Sequence, residues 1–370
     1  MSKVTALYSE TIDHLLLPLS EWMADDSVSE VMINGFEEIY IERGGKVEQV
    51  DARFESAEAL EAAARNIAQF AGKRLTPDNP SIEARLPDGS RVHIVLPPSA
   101  RKGICIAIRK FSKHKLDISK LIEFGALTDE AAEFLDISVK LAKNILVSGG
   151  TGSGKTTLLN CMSGMIYSSE RILVLEDSSE LQLQQPHVVP FEAQAPDRNG
   201  QGGISIRGLF QASLRMRPDR VIVGECRGGE ALDMIQAMTS GHSGSMSTCH
   251  ASSPLDAMRR IETMCLMADI DLPLTALRTQ IASAVDLVVQ VTRFHDGTRK
   301  ITHISNVLPV GEDGQYRIRD IYTLTDDKNR SISEQILQHT EETPDFAHEP
   351  VLHGLGDAVK LTSECWRTIE

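Results

Sequence analysis

Residues 149–156 read Gly149-Gly-Thr-Gly-Ser-Gly-Lys-Thr156, and this octapeptide sets the reading of everything around it. It matches G-x-x-x-x-G-K-[ST] in full and lies between the apolar run Asn144–Ser148 and the helix-like segment Thr157–Met162. A strand that hands a glycine-rich turn to a helix N-terminus makes successive backbone N–H groups converge on an anion, with the helix dipole behind them. Gly150, Thr151, Gly152, Ser153 and Gly154 supply the cradle and Lys155 reaches the β- and γ-oxygens. Thr156 offers its hydroxyl to Mg²⁺, and Thr157 follows in the same helical turn. The stretch implies a bound nucleoside triphosphate.

At 370 residues the chain exceeds the usual length of one domain. A hydrophobic content of 41% and a charged content of 24% are those of a globular protein with its own core. The formal charge of −14 gives counterion-release binding to nucleic acid little to work with, so no direct nucleic-acid partner is expected. Six cysteines without a C-x-x-C pair read as buried thiols in a reducing compartment. No stretch approaches the roughly 18 apolar residues of a membrane span, and the N-terminus has no signal-peptide pattern. A cytoplasmic protein that meets a membrane only through partners is the expectation.

Around the octapeptide, strands at 144–148, 171–176, 187–191, 220–224, 245–249 and 286–293 alternate with helices near 155–167, 204–216, 228–239, 254–267 and 273–284. Such alternation predicts a mostly parallel sheet wrapped by helices, an α/β core. Residues 1–111 read differently, as an α+β domain of hairpins and one helix near 56–70. Gly44-Gly45 and Pro87-Asp88-Gly89 form its turns, and Arg91 stands opposite the apolar face of the second hairpin. The basic run at 112–120 reads as a linker, 121–325 as the nucleotide-binding domain, and 326–370 as a polar acidic tail of unassigned role.

Phosphoryl transfer also needs an oriented water, a held cation and positive charge near the γ-phosphate. Strand Arg220–Glu225 ends in a carboxylate at the edge where ligands of parallel sheets bind, which suits Glu225 to the Mg²⁺ shell. Strand Arg171–Asp177 also ends in acids, and Glu176, Asp177 or Glu180 could orient or deprotonate water. His242 and His250 flank a strand and could contact the γ-phosphate. Arg207, Arg215 and Arg217 precede the Glu225 strand and Arg227 follows it; arginines at this density fit phosphate contacts, from the same or a neighbouring subunit.

Taken together, Gly149–Thr156, Leu175-Glu-Asp-Ser-Ser-Glu-Leu181, Leu214–Glu225 and Thr239–Ala251 resemble the Walker A, aspartate, Walker B and histidine boxes of the secretion-traffic ATPases, in order and in spacing. Val28–Gly35, Ala84–Val92 and Ile108–Phe111 are most similar to the tight-adherence (Flp) pilus and conjugation-type branch. The resemblance implies a RecA-like P-loop core behind a smaller α+β domain. It implies ATP and Mg²⁺ as ligands and a homohexameric ring acting on an inner-membrane platform protein of a pilus or secretion machine. It makes Glu225 the Walker B acid, Glu180 the residue that activates water, and His242 and His250 the couplers of the γ-phosphate to domain movement. Arg91 and Arg109 match the arginines that family N-terminal domains bring to the nucleotide. The tail beyond 325 matches no family pattern. A nucleic-acid translocase on the same core and a non-motor, nucleotide-stabilised scaffold stay open as alternatives.

Overall fold

A computed structural model describes residues 11–111, 116–196, 201–268, 272–325 and 331–367. It divides the chain into two compact units, 1–115 and 116–370. In the first unit, alternating apolar residues make a six-stranded antiparallel sheet: β1 (Val28–Asn34), β2 (Ile39–Arg43), β3 (Lys46–Val50), β4 (Ser81–Arg85), β5 (Arg91–Val95) and β6 (Cys105–Arg109), in the order β3-β2-β1-β6-β5-β4. Period-two alternation sends Val31, Ile33, Ile39, Ile41, Val92, Ile94, Ile106 and Ile108 to one face, where they are buried. Helix α1 (Ala57–Phe70) lays Leu60, Ala64 and Ile67 into the same core, and Ser56 caps its start by accepting the N–H of Ala59. Residues 112–115 of the expected linker lie outside the described residues, and Asp117 caps the helix α2 (Ile118–Glu123).

The second unit is built on β7 (Ile145–Gly149), β8 (Ile172–Glu176), β9 (Val188–Glu192), β10 (Arg220–Val223), β11 (Met246–His250), β12 (Leu287–Arg293), β13 (Arg299–Leu308), β14 (Arg317–Leu324) and β15 (Leu337–His339). They form a nine-stranded sheet in the order β15-β14-β13-β12-β7-β11-β10-β8-β9. Strands β7 to β12 pair in parallel, and β13 to β15 extend one edge antiparallel. The central strands are buried along their whole length, which is why they read as continuous apolar runs instead of alternating. Helices cover both faces. On one, α3 (Asp129–Lys140) and α4 (Lys155–Ser163) enclose Phe134, Leu158 and Met162. On the other, α5 (Ile206–Ser213), α6 (Glu230–Thr239), α7 (Pro254–Leu266) and α8 (Leu274–Ala284) bury Phe210, Ile235, Ile261 and Ile281. The fold is α/β, as its strand–helix alternation predicts.

Residues beyond 325, read as a tail, belong to this unit instead. Strand β15 pairs with β14, Trp366 stacks on Phe134 with ring centroids 5.0 Å apart, and Cys365 is buried against the Tyr322 hydroxyl. The Glu133 carboxylate accepts the backbone N–H groups of Lys360, Leu361 and Thr362, and Lys143 pairs with Glu349 at 2.6 Å. Polarity disguised the segment because single apolar residues, widely spaced, do its burying. Five of the six cysteines are buried and Cys105 is half-buried; burial pushes the Cys161, Cys249, Cys265 and Cys365 thiols up to about 12, so they are inert as nucleophiles.

Arg220, at the start of β10, is 2% exposed. It pairs with Glu170 and donates to the carbonyls of Val139 at 3.0 Å and Gly244 at 3.4 Å. Gly244 has φ +79°, and a Cβ there would stand 1.8 Å from the Arg220 guanidinium. Gly244→Ala is therefore expected to lower unfolding stability by about 2–4 kcal/mol, from left-handed backbone strain plus displacement of a buried ion pair. The check is a shift of the urea midpoint with the transition slope unchanged.

Candidate active site

Parallel pairing sets Gly149 level with His250 on β11 and with Val291 on β12. A Cβ on Gly149 would meet the Val291 carbonyl at 2.3 Å and Ser153 Oγ at 2.6 Å, so only glycine lets the strand turn here. Gly152 and Gly154 follow at φ +67° and +99°, and α4 begins at once with Lys155. The Lys155 ammonium is folded inward and donates to the Gly150 carbonyl at 2.9 Å. Ser153 Oγ is buried without a hydrogen-bond partner. A cradle with an inward cation and an orphaned hydroxyl at a helix N-terminus fits a polyphosphate. Thr156 and Thr157 are half-buried in the first turn of α4, where a hydroxyl can meet Mg²⁺.

Three strands along from β7, β8 ends in Glu176, which is 4% exposed. Its Oε1 accepts the backbone N–H groups of Glu180 at 2.8 Å and Leu181 at 2.9 Å. Asn160 on α4 accepts the N–H of Gln182 at 2.9 Å. The acid box is thereby pinned between the sheet and the helix that follows the cradle, which sets where Glu180 stands. Gly224 makes room for this: a Cβ there would lie 2.9 Å from Glu176 Cγ. Glu176, a candidate for acting on water, is buried, and its Oε1 is taken up by the backbone of the segment that carries Glu180. Burial raises its pKa to about 7 from an ordinary 4.5, against the opposing effect of the two N–H bonds.

Glu225 follows β10 beside the end of β11, and both its oxygens are engaged. Oε1 lies 2.7 Å from His250 Nε2, and Oε2 takes Arg227 at 2.5 Å. Burial, chiefly, and the Lys155 charge hold His250 below the usual imidazole range, against the raising effect of the Glu225 carboxylate beside it. Arg227 also reaches Asp177 at 3.4 Å, joining the two acid-bearing strand ends. Thr248 on β11 donates to the Gly224 carbonyl at 2.8 Å and fixes the turn that carries Glu225.

Other candidates lie elsewhere. His242 precedes β11, and a five-residue strand spans about 13 Å, so His242 and His250 sit at opposite ends of one strand. Of the two, only His250 is at the cradle's edge. Arg215 precedes β10, donates to the Gln211 carbonyl on its own helix at 2.8 Å, and belongs to that same far edge. Arg207 pairs with Asp233 at 2.7 Å. In the first unit, Arg91 and Arg109 are neighbours across β5 and β6, and Arg91 pairs with Glu83 at 2.7 Å. Two cradle neighbours escaped the sequence reading: Arg293 ends β12 and Arg299 begins β13, and Arg299 Nε donates to the Gly152 carbonyl at 2.8 Å. The signal was available, since β12 is one more parallel strand whose carboxyl end must face the ligand.

Open parallel sheets bind their ligands off the carboxyl ends of the strands, and here that edge carries the glycine cradle with Lys155 and the acids Glu176 and Glu225, the arrangement of a RecA-like P-loop nucleoside triphosphatase. The family described as "Type II/IV secretion system protein" matches residues 16–353, and the chain belongs to it. A putative conjugal transfer protein of Mycobacterium tuberculosis is 33% identical over 293 residues, 78% of this chain and 83% of its own length. The type IV secretion system protein VirB11 of Bartonella quintana is 31% identical over 337 residues, covering 80% and 94%. The solved pilus retraction motor PilT with bound ADP matches with a TM-score of 0.55 at 17% identity, over 94% of this chain and 89% of that one, a likeness of fold. The chain is an ATPase of the secretion and pilus class. Among the described residues no helix is long and apolar enough to cross a membrane.

A carboxyl whose folded pKa is raised contributes its full stability below its ordinary value and loses it as pH rises towards the folded one. For Glu176 that window runs from 4.5 to about 7. Glu176→Gln, which keeps the acceptor oxygen, is expected to gain stability relative to the parent across it, on the order of 2 kcal/mol between pH 5 and 7.5. Urea denaturation of both proteins at the two pH values measures it; parallel curves would contradict the assignment.

Proposed function

We propose that the chain is the ATP-hydrolysing subunit of a hexameric ring that powers pilus assembly or protein secretion, in the cytoplasm, against an inner-membrane platform protein. The observation that carries the reading is the convergence of cradle, Glu180 segment and Glu225–His250 pair on the carboxyl edges of adjacent strands. The names of the relatives, a secretion system protein, a conjugal transfer protein and a pilus retraction motor that binds ADP, point to the same kind of machine.

In this reading the backbone N–H groups of 150–156 and the Lys155 ammonium take the β- and γ-phosphates of ATP. Thr156 and, through water, Glu225 would hold Mg²⁺, which offsets the negative charge of those oxygens. Glu180, fixed through its backbone by Glu176, orients and deprotonates the attacking water. Arg227 leaves Glu225 for the γ-phosphate, which frees the carboxylate for the cation's water shell. His250 stays beside Glu225, so a change at the γ-phosphate is felt on β11. Arg91 and Arg109 supply further positive charge from the N-terminal unit of the same or a neighbouring subunit. The join between the units acts as the hinge, a few residues that absorb the backbone rotation, without 118–120 of the expected linker, which are helical.

Lys155→Ala is expected to abolish turnover and nucleotide binding. Glu180→Gln should keep ATP bound while slowing hydrolysis by about 10² to 10⁴. Light scattering of the parent with a non-hydrolysable ATP analogue and Mg²⁺ should give six times the 40.6 kDa chain. Full turnover by the Glu180 variant would remove its role, and a fully active monomer would overturn the motor reading. Stimulation of turnover by single-stranded DNA would move the assignment to a translocase.

A further inference from the structure

Antiparallel register sets Arg293, the last residue of β12, opposite Arg299, the first of β13. The connecting turn is closed by the Phe294 N–H donating to the Thr298 carbonyl at 2.8 Å. Because Val291 stands level with Gly149, the end of β12 overhangs the phosphate cradle. Arg299 Nε donates to the Gly152 carbonyl at 2.8 Å. The Arg293 guanidinium would lie 2.9 Å from a Cβ on Gly152, and the Arg299 stem 3.7 Å from one on Gly154. Two cations of one hairpin bracket the two left-handed glycines of the loop.

The effect on the nucleotide follows from peptide geometry. The Gly152 carbonyl and the Ser153 N–H belong to one planar trans peptide and point in opposite directions. Tying the carbonyl to the hairpin aims the N–H into the loop. There the Gly150 carbonyl accepts from Ser153 N–H at 3.4 Å and from the Lys155 ammonium at 2.9 Å, so the two phosphate-seeking donors already converge. A loop of glycines is otherwise the most costly backbone to order on binding. We propose that Arg299 is a positioning residue that pre-organises the cradle for the polyphosphate of a nucleotide, with Arg293 closing over the same glycine. The proposal rests on the ATP reading of the cradle.

Pre-organisation of this kind strengthens the ground state and the transition state alike, so its loss shows in binding and leaves the chemical step, which belongs to Glu180, unchanged. Arg299→Ala is expected to raise the KM for ATP and the Kd for ADP about tenfold with kcat within about twofold. Arg299→Lys, which retains charge and stem, should recover most of that loss, and Arg293→Ala should show a smaller one. Melting temperature and particle mass of each variant separate this from misfolding; should the alanine variant fail to fold, Arg299→Met, which keeps the stem but cannot donate to the Gly152 carbonyl, carries the test with the same expected rise in KM. Unchanged KM and ADP affinity in Arg299→Ala, or in Arg299→Met where the alanine variant does not fold, would overturn the proposal. So would a fall in kcat that Arg299→Lys does not repair. If Lys155→Ala abolishes ADP binding while Arg299→Ala leaves it intact, the hairpin's role alone is lost. If neither substitution affects ADP, the cradle reading itself is wrong.

Discussion

The constraint on which the site depends is the contact of one glycine with the neighbouring strand. Gly149 ends the central strand β7 level with Val291 and His250, so close to the Val291 carbonyl that any side chain would collide with it. Because the sheet is parallel, each strand that flanks β7 ends at the same edge. One register therefore gathers groups from sequence positions more than a hundred residues apart. The cradle comes from β7, the histidine from β11, Glu225 from the turn after β10, the acid box from β8 and the arginine hairpin from β12 and β13.

The same edge is where the fold accepts electrostatic cost. Glu176 is a carboxyl inside a core, with its proton held to about pH 7 by burial, and it survives there because two backbone N–H groups bind it. Uncompensated, such a group would be removed by any hydrophobic replacement; here it fixes the backbone of Glu180. Glu225 and Arg227 make the complementary arrangement, an ion pair near solvent that can be exchanged at little cost. In the proposed mechanism the buried acid positions and the more exposed pair exchanges partners.

Much of this was legible in the sequence. The octapeptide, the strand-end acids and the apolar runs of β7, β8 and β10 specify both the edge and its chemistry. What sequence spacing could not convey was direction. His250 is the last residue of β11 and His242 precedes its first, so the strand puts them at opposite ends, and Arg215 is removed from the cradle's edge of its own sheet by the same geometry. Glu176 and Glu180 looked alike as acids, and only burial separates a positioning carboxyl from one that can meet water. The segment after 325 hid because Leu337, Phe346 and Cys365 bury singly, without period. The use of Arg293 and Arg299 appears only when β12 is seen to overhang the cradle.

The claim that one sheet edge is the nucleotide site can be tested by hydrogen exchange of backbone amides with and without a non-hydrolysable ATP analogue and Mg²⁺. Protection is expected at 149–157, in the acid box at 176–182 and at 224–227, with 215–219 and 242–245 unchanged. Protection confined to the opposite edge, or no change at 149–157, would contradict the account.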